Sequence, residues 1–205
     1  MPLVGHHDGM ADPVSAPVRH LWILRHAKAA SDAPWGGGDE ERPLTARGRR
    51  DASALGKRLA DEGPILELEG IPRPELAMCS AAVRARQTTD LIAAAMGDGL
   101  PVDAYRSLYQ ADTDLVLQYL REIDEEVISL LVVGHNPTMV RLAWELLDDG
   151  ADGGEGAEQR AGDRATLEAR GFPTCSLAVL TLEVAAWEDV TPGCGRLAGV
   201  FKPPY

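Results

Sequence analysis

Apolar residues in this chain fall into short unbroken runs separated by segments of helical spacing. His20-Leu21-Trp22-Ile23-Leu24 is an apolar, β-prone run that predicts a buried strand ending at Arg25-His26. A Gly-rich loop follows (Trp35-Gly36-Gly37-Gly38-Asp39), and then Pro43-Leu44-Thr45. Thr45 suits a helix N-cap, and behind it Ala52, Leu55 and Leu59 recur at helical spacing until Gly63-Pro64 ends the helix. Glu75-Leu76-Ala77-Met78-Cys79 predicts a second strand, ending at Ser80. The next helix carries Leu91, Ile92 and Ala95 on one face and stops near Gly97. A weak strand is expected around Val102 and a helix over 112–124, where Leu115, Leu117, Leu120 and Ile123 recur. The run from Val127 to Val133 is the clearest buried strand; it leads into Gly134-His135-Asn136-Pro137 and a helix through Leu147. Residues 176–184 and 196–201 predict two further strands, the last at a sheet edge. Strands alternating with helices predict an α/β fold, a parallel sheet with helices on both faces.

Two segments fall outside this pattern. Residues 1–18 are rich in Pro, Gly and Asp, lack periodicity and read as a mobile tail, which leaves 19–205 as a single domain. From Asp148 to Gly171 the chain is Gly- and Ala-rich, with six acids and one Arg (Arg160) between Asp148 and Asp163. That stretch predicts a solvent-exposed acidic insertion at 148–171 with a helical turn near its end.

Charge narrows the partners. The net charge of −12 carries no Lys/Arg run of the kind duplex binding requires, and it disfavours anionic membrane surfaces. A small phosphorylated group is still compatible, because a few convergent arginines outweigh the global field inside one cleft. No apolar stretch approaches the roughly 20 residues of a transmembrane helix, and the first residues show no charged end followed by an apolar run. Three separated cysteines, Cys79, Cys175 and Cys194, suit reduced thiols better than a disulfide framework. A cytoplasmic protein is therefore expected.

Candidate chemistry sits at the strand ends. In an open α/β sheet, ligands bind beyond the carboxyl ends of the strands. Arg25-His26, Ser80 with Arg84 one turn later, and His135-Asn136 all fall there. A phosphoryl group in flight spreads charge over three equatorial oxygens and needs several fixed donors. Arg25 and Arg84 supply forked, permanently charged donors. Asn136 suits the cap of a helix opening at Pro137, whose free N–H groups would face the anion, and His135 adds a further donor. Neutral imidazole is nucleophilic near pH 7, so a histidine in such a cradle invites covalent catalysis. His26 is favoured over His135 for that role because it directly follows a strand and stands beside Arg25. Ser80 lacks a G-x-S-x-G elbow and reads as a cap, no P-loop is present, and no Cys or His has zinc-ligand spacing.

At these residues the chain resembles a known family. Leu24-Arg25-His26-Ala27-Lys28-Ala29 is similar to the opening Arg-His motif of the histidine phosphatase superfamily, and its Ala-Lys continuation to the SixA-type phosphohistidine phosphatase branch. Arg42-Pro43-Leu44-Thr45-Ala46-Arg47-Gly48, Cys79-Ser80 through Arg84-Ala85-Arg86-Gln87-Thr88, and Val133-Gly134-His135-Asn136-Pro137 resemble the following family blocks in register. Phe172 to Leu182 resembles the closing strand. The resemblance implies a phosphoglycerate-mutase-like three-layer sandwich, a mixed and mostly parallel sheet between helices. It implies His26 as phosphoryl acceptor, with Arg25, Arg84, His135 and Asn136 around the phosphate and no metal or organic cofactor. The substrate it implies is phosphohistidine on a protein; a small phosphoester such as a sugar or nucleotide phosphate is the enzymatic alternative, and a phosphate-binding module without turnover the non-enzymatic one. Larger members keep an acidic residue between the second Arg and the second His; Asp112 lies in that interval, and a helix N-cap is its favoured role.

Overall fold

The computed structural model describes residues 18–60, 70–97, 99–147 and 157–205. The predicted tail, the Gly63-Pro64 helix end and the first part of the predicted insertion lie outside the described residues. The strands are β1 (Arg19–Arg25), β2 (Leu76–Ser80), β3 (Val102–Tyr105), β4 (Ser129–Gly134), β5 (Leu177–Leu182) and β6 (Gly195–Phe201). The helices are α1 (Ala46–Ala60), α2 (Val83–Met96), α3 (Thr113–Arg121), α4 (Thr138–Leu146) and α5 (Ala157–Arg170).

The strands form one sheet in the order β3-β2-β4-β1-β5-β6. β1 pairs in parallel with β4, β4 with β2 and β2 with β3, while β5 runs antiparallel to both β1 and β6. Only β5 therefore opposes the common strand direction, as a mixed, mostly parallel sheet requires.

Successive strand residues alternate between two cores, which is the period-2 consequence of the pleat. Leu21, Ile23, Leu130, Val132, Ala178 and Leu180 face a cluster that includes Leu117 and Leu120 of α3 and Leu142 and Leu146 of α4. Trp22, Leu24, Leu131, Val133, Leu177 and Val179 face the other cluster, with Leu55 and Leu59 of α1 and Ile92 of α2. Helices thus cover both faces, and each fully buried Leu or Ile contributes roughly 1.5–3 kcal/mol of transfer free energy. A polar relay crosses the layers: the Trp22 indole donates to Ser129 Oγ at 2.9 Å, and that hydroxyl donates to the Pro72 carbonyl at 2.9 Å.

Residues 157–170 correct the sequence reading. Where a solvent-exposed insertion with a helical turn was expected, α5 is a 14-residue helix that packs on β6. Leu167 is its apolar anchor at 1% exposure. Asp163, also buried, accepts from the Leu197 N–H at 3.0 Å, so one of the acids counted as solvated occupies a donor of the edge strand.

Strand register brings the chemistry together. Arg25 pairs opposite Gly134, and Cys79 opposite Val133. His26, Ser80 and His135 consequently emerge at the same end of adjacent strands.

Candidate active site

At that rim lies a pocket of about 430 Å³ whose lining includes Arg25, His26, Lys28, Arg42, Arg84, Tyr109, His135 and Asn136. Among the described residues, no Asp or Glu lines it. An acidic chain has thus built one cationic cleft, which is a site for an anion.

His26 is fixed on both sides of its Cα. Its backbone N–H donates to Gly134 O at 3.0 Å, and its ring Nδ1 lies 2.8 Å from Ala27 O. A carbonyl only accepts, so Nδ1 carries the proton and Nε2 keeps its lone pair. Burial pushes the imidazole down to about 4, assisted by the charges of Arg84, Arg25 and Arg42. The ring is therefore neutral at pH 7, with one nitrogen free to attack.

The His135 ring centre lies 5.0 Å from that of His26. Its Nε2 sits 2.8 Å from Ser80 Oγ, a fully buried hydroxyl that also accepts from the Ala82 N–H at 3.2 Å. Donation by the Ser80 hydroxyl to Nε2 satisfies both groups and leaves His135 Nδ1 as a donor. Burial, and then the neighbouring His26, push His135 down to about 3. At pH 7 it is a neutral hydrogen-bonder, not a cation.

Arg25 and Arg84 flank the two rings. Arg25 Nη1 donates to the Phe172 carbonyl at 3.0 Å, and its buried Nε has no partner. Arg84 is 5% exposed; its Nη1 and Nη2 donate to Asp39 O and Oδ2 at 2.6 and 2.8 Å, while its Nε too is unpartnered. Both guanidinium groups line the pocket, and the protein bonds given occupy only part of their five N–H donors, which fits an oxyanion.

Asn136 departs from its expected part. It does not cap α4: the helix begins at Thr138, Pro137 occupies the cap position without a side-chain bond, and neither Pro137 nor Thr138 lines the pocket. Asn136 Nδ2 instead donates to Phe172 O at 3.1 Å, the carbonyl that also holds Arg25. The free N–H groups of α4 are accordingly absent from the lining. Asp112 caps α3, accepting from the Leu115 N–H at 3.0 Å, and does not line the pocket.

The remaining sequence blocks brace the His26 loop. Thr45 accepts from the Gly48 N–H at 3.0 Å, the predicted N-cap, while its hydroxyl donates to Lys28 O at 3.0 Å. Gly48 is required by this approach, because a Cβ there would lie 2.2 Å from Lys28 O. On α2, the i, i+3, i+4 spacing turns Arg84, Gln87 and Thr88 to one side. Gln87 Oε1 accepts from Leu44 N at 2.8 Å, and Thr88 Oγ1 from Ala27 N at 3.0 Å. Sequence reasoning assigned no role to Asp39, Gln87, Thr88 or Tyr109; the helical spacing of Arg84, Gln87 and Thr88 was the available signal for two of them.

The sequence profile of the histidine phosphatase superfamily (branch 1) matches residues 21–125. The chain belongs to this superfamily, and it is a phosphatase. A Mycobacterium tuberculosis protein of unassigned function is 34% identical over 180 residues, spanning 88% of this chain and 99% of its own. A structure from Nakamurella multipartitia, assigned as a phosphohistidine phosphatase SixA, is 30% identical with a TM-score of 0.71, covering 93% of this chain and 99% of that one. The protein histidine phosphatase SixA complexed with tungstate is 26% identical with a TM-score of 0.62, covering 90% and 97%. No helix among the described residues is long and apolar enough to cross a membrane.

Proposed function

We propose that this phosphatase removes the phosphoryl group from phosphohistidine on a protein partner, through a covalent intermediate on His26. The observation that carries the reading is the 2.8 Å contact between His26 Nδ1 and Ala27 O, which frees Nε2 in a cationic pocket. Nε2 forms a bond to phosphorus as the P–N bond of the substrate breaks, its electron pair leaving with the substrate imidazole. Arg25, Arg84 and His135 meet the charge on the equatorial oxygens. Water then attacks phosphorus and orthophosphate departs. Throughout, Ala27 O holds the Nδ1 proton, so His26 leaves as neutral imidazole.

The described lining residues hold Arg, Lys and His but no Asp or Glu, a set that favours a nitrogen leaving group. The distal ring nitrogen of phosphohistidine lies away from the scissile bond and takes its proton from solvent, so the departing imidazole needs no acid in the pocket. A phosphoester of a poorly acidic alcohol would need one. We infer a cytoplasmic setting, which suits the free thiols of Cys79, Cys175 and Cys194.

The test compares kcat/KM on a phosphohistidine-bearing protein domain with that on p-nitrophenyl, sugar and nucleotide phosphates. Preference for the phosphohistidine domain is expected. A sugar or nucleotide phosphate turned over more efficiently would overturn the substrate assignment.

A further inference from the structure

Asp39, at the end of the Gly-rich loop, meets three side chains that line the pocket, although the chemistry above gives it no part. Its carboxylate Oδ2 accepts from Arg84 Nη2 at 2.8 Å and from the Tyr109 hydroxyl at 2.6 Å; Oδ1 meets Arg42 Nη2 at 2.6 Å. Its backbone carbonyl accepts from Arg84 Nη1 at 2.6 Å. Tyr109 in turn packs on both sides of the site, its ring centre 5.6 Å from the Arg84 guanidinium carbon and 5.4 Å from the His135 ring centre.

Such a carboxylate could compete with the phosphoryl group for Arg84 or hold Arg84 ready for it. Donor arithmetic separates the two. A guanidinium carries five N–H donors; Asp39 uses one from each terminal nitrogen, and the partnerless Nε–H is among those left. Asp39 does not itself line the pocket. It holds Arg84 by one N–H of each terminal nitrogen, while Arg84 itself lines the pocket and keeps its other donors. A nearly buried cation held by a single mobile side chain would otherwise sample several rotamers, and immobilising it before the reaction lowers the cost of charge stabilisation.

Proton donation is a third role, and electrostatics exclude it. The Tyr109 hydroxyl, with Arg84 and Arg42, holds the Asp39 carboxyl down at about 2, so it is ionised at any working pH.

We propose that Asp39 is a positioning residue for Arg84, clamping its two terminal nitrogens so that the guanidinium is held at the pocket wall for the phosphoryl oxygens, with Tyr109 and Arg42 locking the clamp. This rests on the assignment of Arg84 to the phosphate site. The clamp accounts for the loop's place in the fold: it carries Asp39 across to a helix 45 residues away in sequence.

The test is a double-mutant cycle of Asp39→Ala and Arg84→Gln, read as kcat/KM on the phosphohistidine domain and as the Kd of orthophosphate by calorimetry. Asp39→Ala is expected to lower kcat/KM and weaken orthophosphate binding, each by about tenfold, the size typical of contacting pairs. In the Arg84→Gln background it should have almost no further effect. Asp39→Asn, which keeps both acceptor oxygens for Arg84, should recover part of the loss, which a purely structural defect would not show. Equal losses in both backgrounds, or tighter orthophosphate binding by Asp39→Ala, would overturn the clamp while leaving the site assignment standing. If Arg84→Gln alone changed neither quantity, the assignment of Arg84 and the clamp would fall together.

Discussion

His26 Nδ1 and the carbonyl oxygen of Ala27 lie 2.8 Å apart, so a residue's own neighbour selects the tautomer of its ring. The contact requires that the chain turn immediately after β1, and the Ala27 N–H bond to Thr88 makes that turn.

Replacing Thr88 by Val keeps the shape and removes the acceptor. The Ala27 N–H would then be buried and unpaired, a loss of about 1–3 kcal/mol. Urea unfolding should show a lower midpoint at unchanged slope, and turnover should fall because the His26 loop is no longer tethered.

Gly48→Ala sets two effects against each other. In a helix, Ala is favoured over Gly by about 1 kcal/mol. Here the added Cβ would meet Lys28 O at 2.2 Å, so α1 or the Lys28 backbone must move. Overpacking of this kind costs about 1–3 kcal/mol, and the clash wins because backbone, not a flexible side chain, is in the way. A lower melting temperature is expected.

Low pH acts through both rings. In the folded protein burial lowers His26 to about 4 and His135 to about 3, against an ordinary value of 6.5. Below 6.5 the unfolded chain therefore binds protons that the folded protein refuses. Stability contributed by the neutral rings is complete above pH 6.5 and is lost as pH falls towards 4 and then 3. Ring resonances of His26 and His135 should stay flat between pH 8 and 5.5. An oxyanion seated among Arg25, Arg84 and His135 reverses the bias, because it stabilises imidazolium. Binding of sulfate, an oxyanion that does not itself titrate near pH 6, should thus take up protons at that pH, seen as a calorimetric enthalpy that depends on the buffer.

Asp112 separates capping from catalysis. Asp112→Asn preserves the acceptor for the Leu115 N–H and should leave stability and turnover near wild type. Asp112→Ala should cost about 1 kcal/mol of stability while keeping turnover. A large loss of turnover in Asp112→Asn would restore it as the general acid.

Much of this was legible in the sequence because it is local. Runs such as Leu130 to Val133 are apolar on both faces and can only be central strands, and Thr45 and Asp112 cap the helices that follow them. The strand-end placement of His26, His135 and Arg84 followed from the same pattern. What escaped depends on distance along the chain. The four-way grip on Asp39 exists only after β2, α2 and the Tyr109 turn have met the Gly-rich loop. Asn136 was read as a cap from its neighbours, but its amide answers to Phe172, 36 residues on. Helix α5 was missed because its composition is Ala, Gly and charge, with one Leu on the packed face and a buried acid whose partner is a strand N–H.

The most direct measurement is a rapid quench of the protein mixed with a protein domain carrying labelled phosphohistidine, in wild type and in His26→Ala. The covalent route predicts transient label on the wild-type chain, acid-labile and alkali-stable, and neither label nor turnover in His26→Ala. Turnover surviving in His26→Ala, or label of the same stability still appearing on that variant, would contradict His26 as the nucleophile.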